Sequence, residues 1–168
     1  MARAARATKI TNIDTKAPER IALDTADRRI IEALQTDGRR AYGSIAQDVG
    51  LSEAAVRRRV QRLRDAGALD IVAVTDPLQL GFNREAMLGV RVQGDVRAAA
   101  DKIAAIDEAI HVVMCAGSFD ILVELITEDD DHLVHVLNDQ IRAVEGVTEV
   151  ETFLYLKLAK QTYSWGTR

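Results

Sequence analysis

The sequence has one cysteine, Cys115, so no internal disulfide can form and nothing in its cysteine usage points to an oxidising compartment. No apolar run approaches the roughly 18–20 residues of a membrane span, and the opening residues lack the apolar stretch of a signal peptide. Motifs of catalysis and cofactor binding are also missing. There is no Walker loop, no GxGxxG, no HExxH and no cysteine pair, so the sequence predicts neither an enzyme nor a metal site or bound cofactor. Apolar residues make up 48% and charged residues 29% of the 168, an ordinary globular balance that excludes a disordered or fibrous chain. The expectation is a soluble cytoplasmic protein of one domain or two small ones.

The formal net charge of −4 argues against nucleic acid as a partner, but its distribution reverses that inference. Residues 1–69 hold 14 Lys+Arg against 9 Asp+Glu, a balance of +5; residues 70–168 hold 8 against 17, a balance of −9. An asymmetry of this size predicts two domains with different partners.

In the basic half, residues 1–20 lack apolar periodicity and are expected to form a flexible arm carrying Arg3, Arg6, Lys9 and Lys16. From Leu23 the pattern turns helical. Leu23, Ile30, Ile31 and Leu34 share a face, Asp24 or Thr25 is available as N-cap, and Gly38 follows the end. A second short helix carries Ile45, Ala46 and Val49 and stops at Gly50. Ser52 then caps a third, which turns Ala55, Val56, Val60 and Leu63 inward.

The spacing Ala46, Gly50, Leu51, Val56 is that of a helix-turn-helix. A small residue lets two helices approach, glycine adopts the turn without steric cost, and two apolar residues fill the wedge. The third helix is left with Glu53, Ala54, Arg57, Arg58, Gln61 and Arg62 outward, and Arg57, Arg58, Arg59, Arg62 and Arg64 fall within eight residues. Arginine can take a guanine edge bidentately or hold phosphate, so this helix is read as facing double-stranded DNA.

In the acidic half a connecting strand is expected over 71–76, closed by Pro77. The predicted order is then strand 87–92, helix 96–106, strand 110–116, a turn at Gly117-Ser118-Phe119-Asp120, strand 121–127, helix 132–144 and strand 147–158. This β-α-β-β-α-β order is that of a ferredoxin-like unit, whose helices cover one sheet face only. Apolar residues nevertheless alternate onto both faces: Ile110, Val112 and Met114 against Val113 and Cys115; Leu154, Leu156 and Leu158 against Phe153 and Tyr155. The open face is therefore expected to be buried by a second copy. His132 and His135 beside Asp129–Asp131 have a metal-like spacing but read more simply as acidic residues at a helix start and surface histidines. The Gly117–Asp120 turn reads either as a plain hairpin or as backbone amides and a carboxylate that hold the two charged ends of an amino acid.

The run Leu23-Asp24…Asp27…Ile30-Ile31…Leu34…Asp37-Gly38-Arg39, then Ile45-Ala46…Val49-Gly50-Leu51-Ser52…Val56…Arg59-Val60…Leu63…Gly67, resembles the leucine-responsive/asparagine regulator (Lrp/AsnC) family of transcription factors. The likeness continues through Gly81 and Gly117…Asp120 to Gly146-Val147 and Lys157, over about residues 21–160. It implies an α+β protein, with an N-terminal (winged) helix-turn-helix joined to a C-terminal ferredoxin-like βαββαβ domain. The corresponding boundaries are a basic arm over 1–20, the DNA-binding domain over 21–69, a hinge strand over 70–84, and an effector-binding and oligomerisation domain over 85–168.

The resemblance further implies dimers, assembled into tetramers or octamers, that answer to an amino-acid effector. The expected DNA-contacting residues are Arg39, Arg40, Ser52, Ala54, Arg57, Arg58 and Arg62. The expected effector residues are Gly117, Ser118 and Asp120. One departure is Ala41, where family members often have Ser or Thr opening the second helix, so that cap is either missing or shifted to Ser44. The alternatives are a constitutive DNA-bending protein without effector response, and an enzyme of ferredoxin-like fold.

Overall fold

The computed structural model describes residues 21–162, 166 and 167, so the basic arm over 1–20 lies outside the described residues. The chain divides after Val72 and again after Gln161, giving a helical unit and a sheet unit.

The helical unit contains α1 (Thr25–Thr36), α2 (Tyr42–Val49) and α3 (Glu53–Asp65). Asp24 caps α1 in a reciprocal capping box: its Oδ1 accepts the Asp27 N–H at 2.8 Å, and Asp27 Oδ2 accepts the Asp24 N–H at 3.2 Å. At α2 the N-cap is Ala41, which offers no side-chain acceptor, and Ser44 instead accepts from Arg40 at 3.3 Å. The cap is thus missing rather than shifted. Gly50 sits at φ 70°, a left-handed conformation that L side chains rarely adopt, and lets α3 start three residues later. Ser52 Oγ then accepts the Ala55 N–H at 3.2 Å.

Ile30, Leu34, Ile45, Ala46, Val56 and Val60 form one buried cluster, with Leu51 packed at its margin. Fully burying an aliphatic side chain of this size stabilises by about 1.5–3 kcal/mol. The expected wing has no counterpart among the described residues, because no strand belongs to this unit. Residues 71–76 likewise form no strand; a short 3₁₀ turn, Pro77–Leu80, follows, capped by Asp76. The end of the chain also belongs with the helices: the Gly166 N–H donates to Gln35 Oε1 at 3.1 Å, and Thr167 Oγ1 donates to Glu32 Oε1 at 2.5 Å.

The sheet unit runs β1 (Arg84–Val92), α4 (Val96–Ile103), β2 (Ala109–Met114), β3 (Ile121–Thr127), α5 (Asp130–His135) and β4 (Val147–Leu154). Its strands lie in the order β2-β3-β1-β4, every pair antiparallel, which is the ferredoxin-like arrangement. The helix expected over 132–144 is α-helical only to His135. It continues as a π-helical segment, Val136–Ile141, in which the Arg142 N–H reaches back five residues to Leu137 O. The last strand stops at Leu154, so Leu156 and Leu158 do not alternate on a sheet.

Leu88, Val90, Ile121, Val123 and Leu125 face α4 and α5 in one core with Ile103, Leu133, Val136 and Ile141. Strand alternation puts Met87, Gly89, Arg91, Leu122, Glu124 and Ile126 on the opposite, open face. That face is more polar than the sequence predicts, because β1, β3 and β4 contribute Glu85, Arg91, Glu124, Glu149 and Glu151 to it. Its apolar part is centred on Phe119 and the exposed Phe153, whose rings meet edge to face at 6.4 Å.

Candidate nucleic-acid interface and effector turn

The five arginines of α3 do not act alike. Arg59 donates to Asp24 at 2.7 Å and to Asp27 at 2.8 Å, and Arg62 donates to the other oxygen of Asp27. Asp27 is 1% exposed and is an anchor that sequence reasoning missed, although the Asp24-x-x-Asp27 spacing is that of an N-cap and its partner three residues on. Burial pushes the Asp27 carboxyl up, but hydrogen bonds from Arg59, Arg62 and the Asp24 amide outweigh it and leave the group below the ordinary carboxylate range. Asp24 is also lowered, by the Asp27 N–H and then by Arg59. Arg59 and Arg62 thus tie α3 to the start of α1. Arg64 lies 4.0 Å from Asp70.

Arg57 and Arg58 remain on the outer face. Arg57 is paired with Glu53 at 2.9 Å, one helical turn earlier, and its guanidinium carbon lies 5.3 Å from the Tyr42 ring centroid. Arg58 is exposed and has no ion-pair partner among the described residues. Ser52 and Ala54 are exposed at the N-terminal end of the same helix. Of the two arginines before α2, Arg39 is exposed, with only its backbone N–H held by Asp37 at 2.9 Å, while Arg40 is engaged by Asp48 and Ser44.

In the sheet unit the Gly117–Asp120 turn folds back over β1. Phe119 lies across Gly89 so closely that a Cβ there would come within 2.6 Å of ring carbons, and Arg91 stacks on the same ring at 5.6 Å. The sequence gives a local reason for the turn but no sign of this long-range fit. Asp120 is bound into the sheet: its N–H donates to Val90 O at 2.9 Å, its O accepts the Cys115 N–H at 2.9 Å, and its Oδ2 accepts the Val92 N–H at 2.8 Å. Among the described residues, the N–H groups of Gly117, Ser118 and Phe119 have no acceptor. Cys115 is half-buried, and its Sγ donates to Phe119 O at 3.2 Å.

His132 and His135 face different carboxylates, Glu108 at 2.9 Å and Asp139 at 2.7 Å. No group of three metal-ligating side chains converges among the described residues. None of the described helices is long and apolar enough to cross a membrane.

A helix-turn-helix with an exposed arginine-bearing face, followed by a separate ferredoxin-like unit, is the architecture of a DNA-binding regulator. Residues 23–64 match the AsnC-type helix-turn-helix domain and residues 85–165 the Lrp/AsnC ligand binding domain. The chain belongs to the Lrp/AsnC family of transcriptional regulators, not to a family of enzymes. It is 33% identical over 142 residues to the HTH-type transcriptional regulator FL11 of Pyrococcus furiosus, covering 83% of this chain and 93% of that one. Escherichia coli AsnC superposes with a TM-score of 0.75 at 26% identity, over 83% of this chain and 96% of the other. A Neisseria meningitidis transcriptional regulator in complex with L-methionine superposes with a TM-score of 0.76 at 26% identity, over 85% and 96%.

Proposed function

We propose that this regulator reads operator DNA through the outer face of α3 and answers to a free amino acid at the Gly117–Asp120 turn. The observation that carries the DNA reading is the division of labour on α3. Arg59 and Arg62 are consumed in fixing the helix, while Ser52, Ala54, Arg57 and Arg58 stand on its exposed side. Arg62 therefore serves chiefly as an anchor, and Arg40, paired with Asp48, is secondary to Arg39 as a phosphate contact.

The effector reading is supported by the three unpartnered amides of residues 117–119, which suit a carboxylate, and by the Asp120 oxygen not taken by Val92, which suits an ammonium. The Neisseria relative's L-methionine is a ligand of the same class. Self-association is supported by the exposed apolar side chains Ile110, Met114 and Phe153 and by Val72, Val74, Leu78 and Leu80 in the connecting segment. Pairing would present two α3 helices to half-sites about 34 Å apart or a multiple of that. An effector shifts operator affinity only if it binds one assembly state better than another.

The test uses the full chain and duplexes selected by it from a random pool. Arg58→Ala should weaken binding to all duplexes alike and reduce its salt dependence, as expected for a phosphate contact. A thermal-shift screen of the free amino acids should find one that stabilises the wild type but not Asp120→Asn. That variant retains an oxygen for the Val92 N–H and loses the charge. No stabilisation by any amino acid would favour the constitutive DNA-bending reading.

A further inference from the structure

Arg57 is the only arginine on the outer face of α3, among the described residues, whose guanidinium is held on two sides. One Nη2 N–H goes to Glu53 Oε1 at 2.9 Å, and the guanidinium carbon lies over the ring of Tyr42, the first residue of α2, at 5.3 Å from its centroid. The other Glu53 oxygen lies beside Gly43, although the side chain as a whole is more than half exposed. A Cβ built on Gly43 would approach Glu53 Oε2 to 3.1 Å, tighter than ordinary van der Waals contact. The absence of a side chain at residue 43 leaves room for the Glu53 carboxylate in the position where it accepts from Arg57. Tyr42, Gly43, Glu53 and Arg57 form one assembly bridging the start of α2 and the start of α3.

This arrangement is costly for simple DNA affinity. A carboxylate on the DNA-facing end of a reading helix repels phosphate, and it neutralises the one arginine it holds. An arginine meant only for phosphate is better left free, as Arg58 is. A clamped arginine gives up rotamer freedom before binding and presents its remaining N–H groups in a fixed direction. That geometry suits a planar acceptor pair, the O6 and N7 of guanine in the major groove, and not the diffuse negative charge of the backbone.

We infer that Tyr42, Gly43 and Glu53 are positioning residues that preset Arg57 to read a guanine, trading non-specific affinity for discrimination. The inference rests on α3 being the DNA-reading helix, as proposed above.

The experiment measures the ratio of affinity for a selected duplex to affinity for a random one, with full-length variants at fixed salt. Arg57→Ala should lower the ratio about tenfold, within the usual value of a bidentate base contact. Tyr42→Leu and Glu53→Gln should each lower it at least threefold, while Tyr42→Phe, which keeps the ring, should retain the wild-type ratio. Glu53→Gln should also bind random duplex more tightly than wild type. Gly43→Ala crowds the Glu53 carboxylate while improving helix propensity, so it should lower the ratio without lowering the melting temperature. Replacing guanine by 7-deazaguanine in the selected duplex should penalise wild type and Tyr42→Phe but not Tyr42→Leu. If Arg57→Ala leaves the ratio unchanged, the reading of Arg57 as a base contact fails. If Arg57→Ala lowers it but Tyr42→Leu, Glu53→Gln and Gly43→Ala do not, that reading stands and the positioning role is overturned.

Discussion

The helical unit and the sheet unit each draw carboxylates out of full solvent contact, Asp27 in one and Glu85 with Glu124 in the other, and satisfy them differently. In the first, the buried Asp27 is gripped by Arg59 and Arg62, and Asp24 shares Arg59. In the second, Glu85 and Glu124 share one end of the open sheet face with Tyr155, whose hydroxyl donates to Glu124 at 2.9 Å, and neither carboxylate has an ion-pair partner among the described residues. The difference follows from sequence. Residues 1–69 carry more basic than acidic side chains and can spend arginines on structure, whereas residues 70–168 have 8 basic groups for 17 acidic ones. Where cations are scarce, a carboxylate is accommodated by hydrogen bonding, as Glu124 is by Tyr155, or is left with its pKa raised, as Glu85 is. The overall charge of −4 hides both arrangements.

The sharpest test of the comparison is Asp27→Asn. Removing one partner of a buried ion pair typically costs about 3–5 kcal/mol, and because Arg62 and Arg59 are partly solvated we expect about 2–3 here. Hydrogen exchange resolved by mass spectrometry should show the loss in α1 and α3 and not in β1–β4. The lowered pKa of Asp27 gives the pH dependence. Its stabilisation is present above the ordinary carboxylate range and is lost as pH falls toward the folded value. Wild-type α1 and α3 should therefore lose protection on acidification with a slope that Asp27→Asn lacks. Equal slopes would remove Asp27 as the keystone of that unit.

The sheet unit has an equivalent keystone, and it is steric. Gly89→Ala should drive Phe119 off the sheet at a cost of about 1–2 kcal/mol, since overpacking a close contact typically costs ~1–3 and a loop ring can yield. The penalty should vanish in a Phe119→Ala background and leave α1–α3 untouched. A full penalty in that background would mean that the strand, and not the ring, refuses the methyl group.

How far the sequence anticipates these features depends on whether their cause is local. Ser52 as N-cap, Gly50 as the turn, and the inward set Val56, Val60 and Leu63 all follow from spacing, and β3 occurs over the expected residues, 121–127. The order of strands and helices follows from periodicity, and the antiparallel sheet from the order. What spacing cannot carry is long-range pairing. Asp27 meets arginines 32 and 35 residues away, and Phe119 settles over a glycine thirty residues earlier. Helical periodicity leaves Arg59 and Arg64 off the outward face but cannot tell Arg57, Arg58 and Arg62 apart. Only when α1 is placed beside α3 does Arg62 join Arg59 on Asp27 and separate from Arg57 and Arg58. The α5 boundary fails for a related reason: an apolar stripe at helical spacing does not distinguish α from π turns.

The smallest expected effect, and the one that most directly opposes the two units, is at Glu85. Burial holds its carboxyl above the ordinary range, with the Glu124 charge and then Asp76 adding to the shift. Tyr155 is pushed up to about 12 by burial, by its hydrogen bond to Glu124, and by the charges of Glu124 and Glu85. A raised acid binds more protons folded than unfolded, so between its unfolded and folded values the sheet unit loses stability as pH rises. That is the reverse of Asp27. Glu85→Gln should flatten this slope and leave the sheet unit more stable than wild type above the window. Hydrogen exchange along β1 and β3, at several pH values on the acid side of neutrality, gives the readout. Protection that falls with rising pH in wild type and is level in Glu85→Gln would establish that one chain carries two acid sites of opposite sign. A destabilised Glu85→Gln at every pH would instead make the charge itself useful, and would point to a cation that approaches this face.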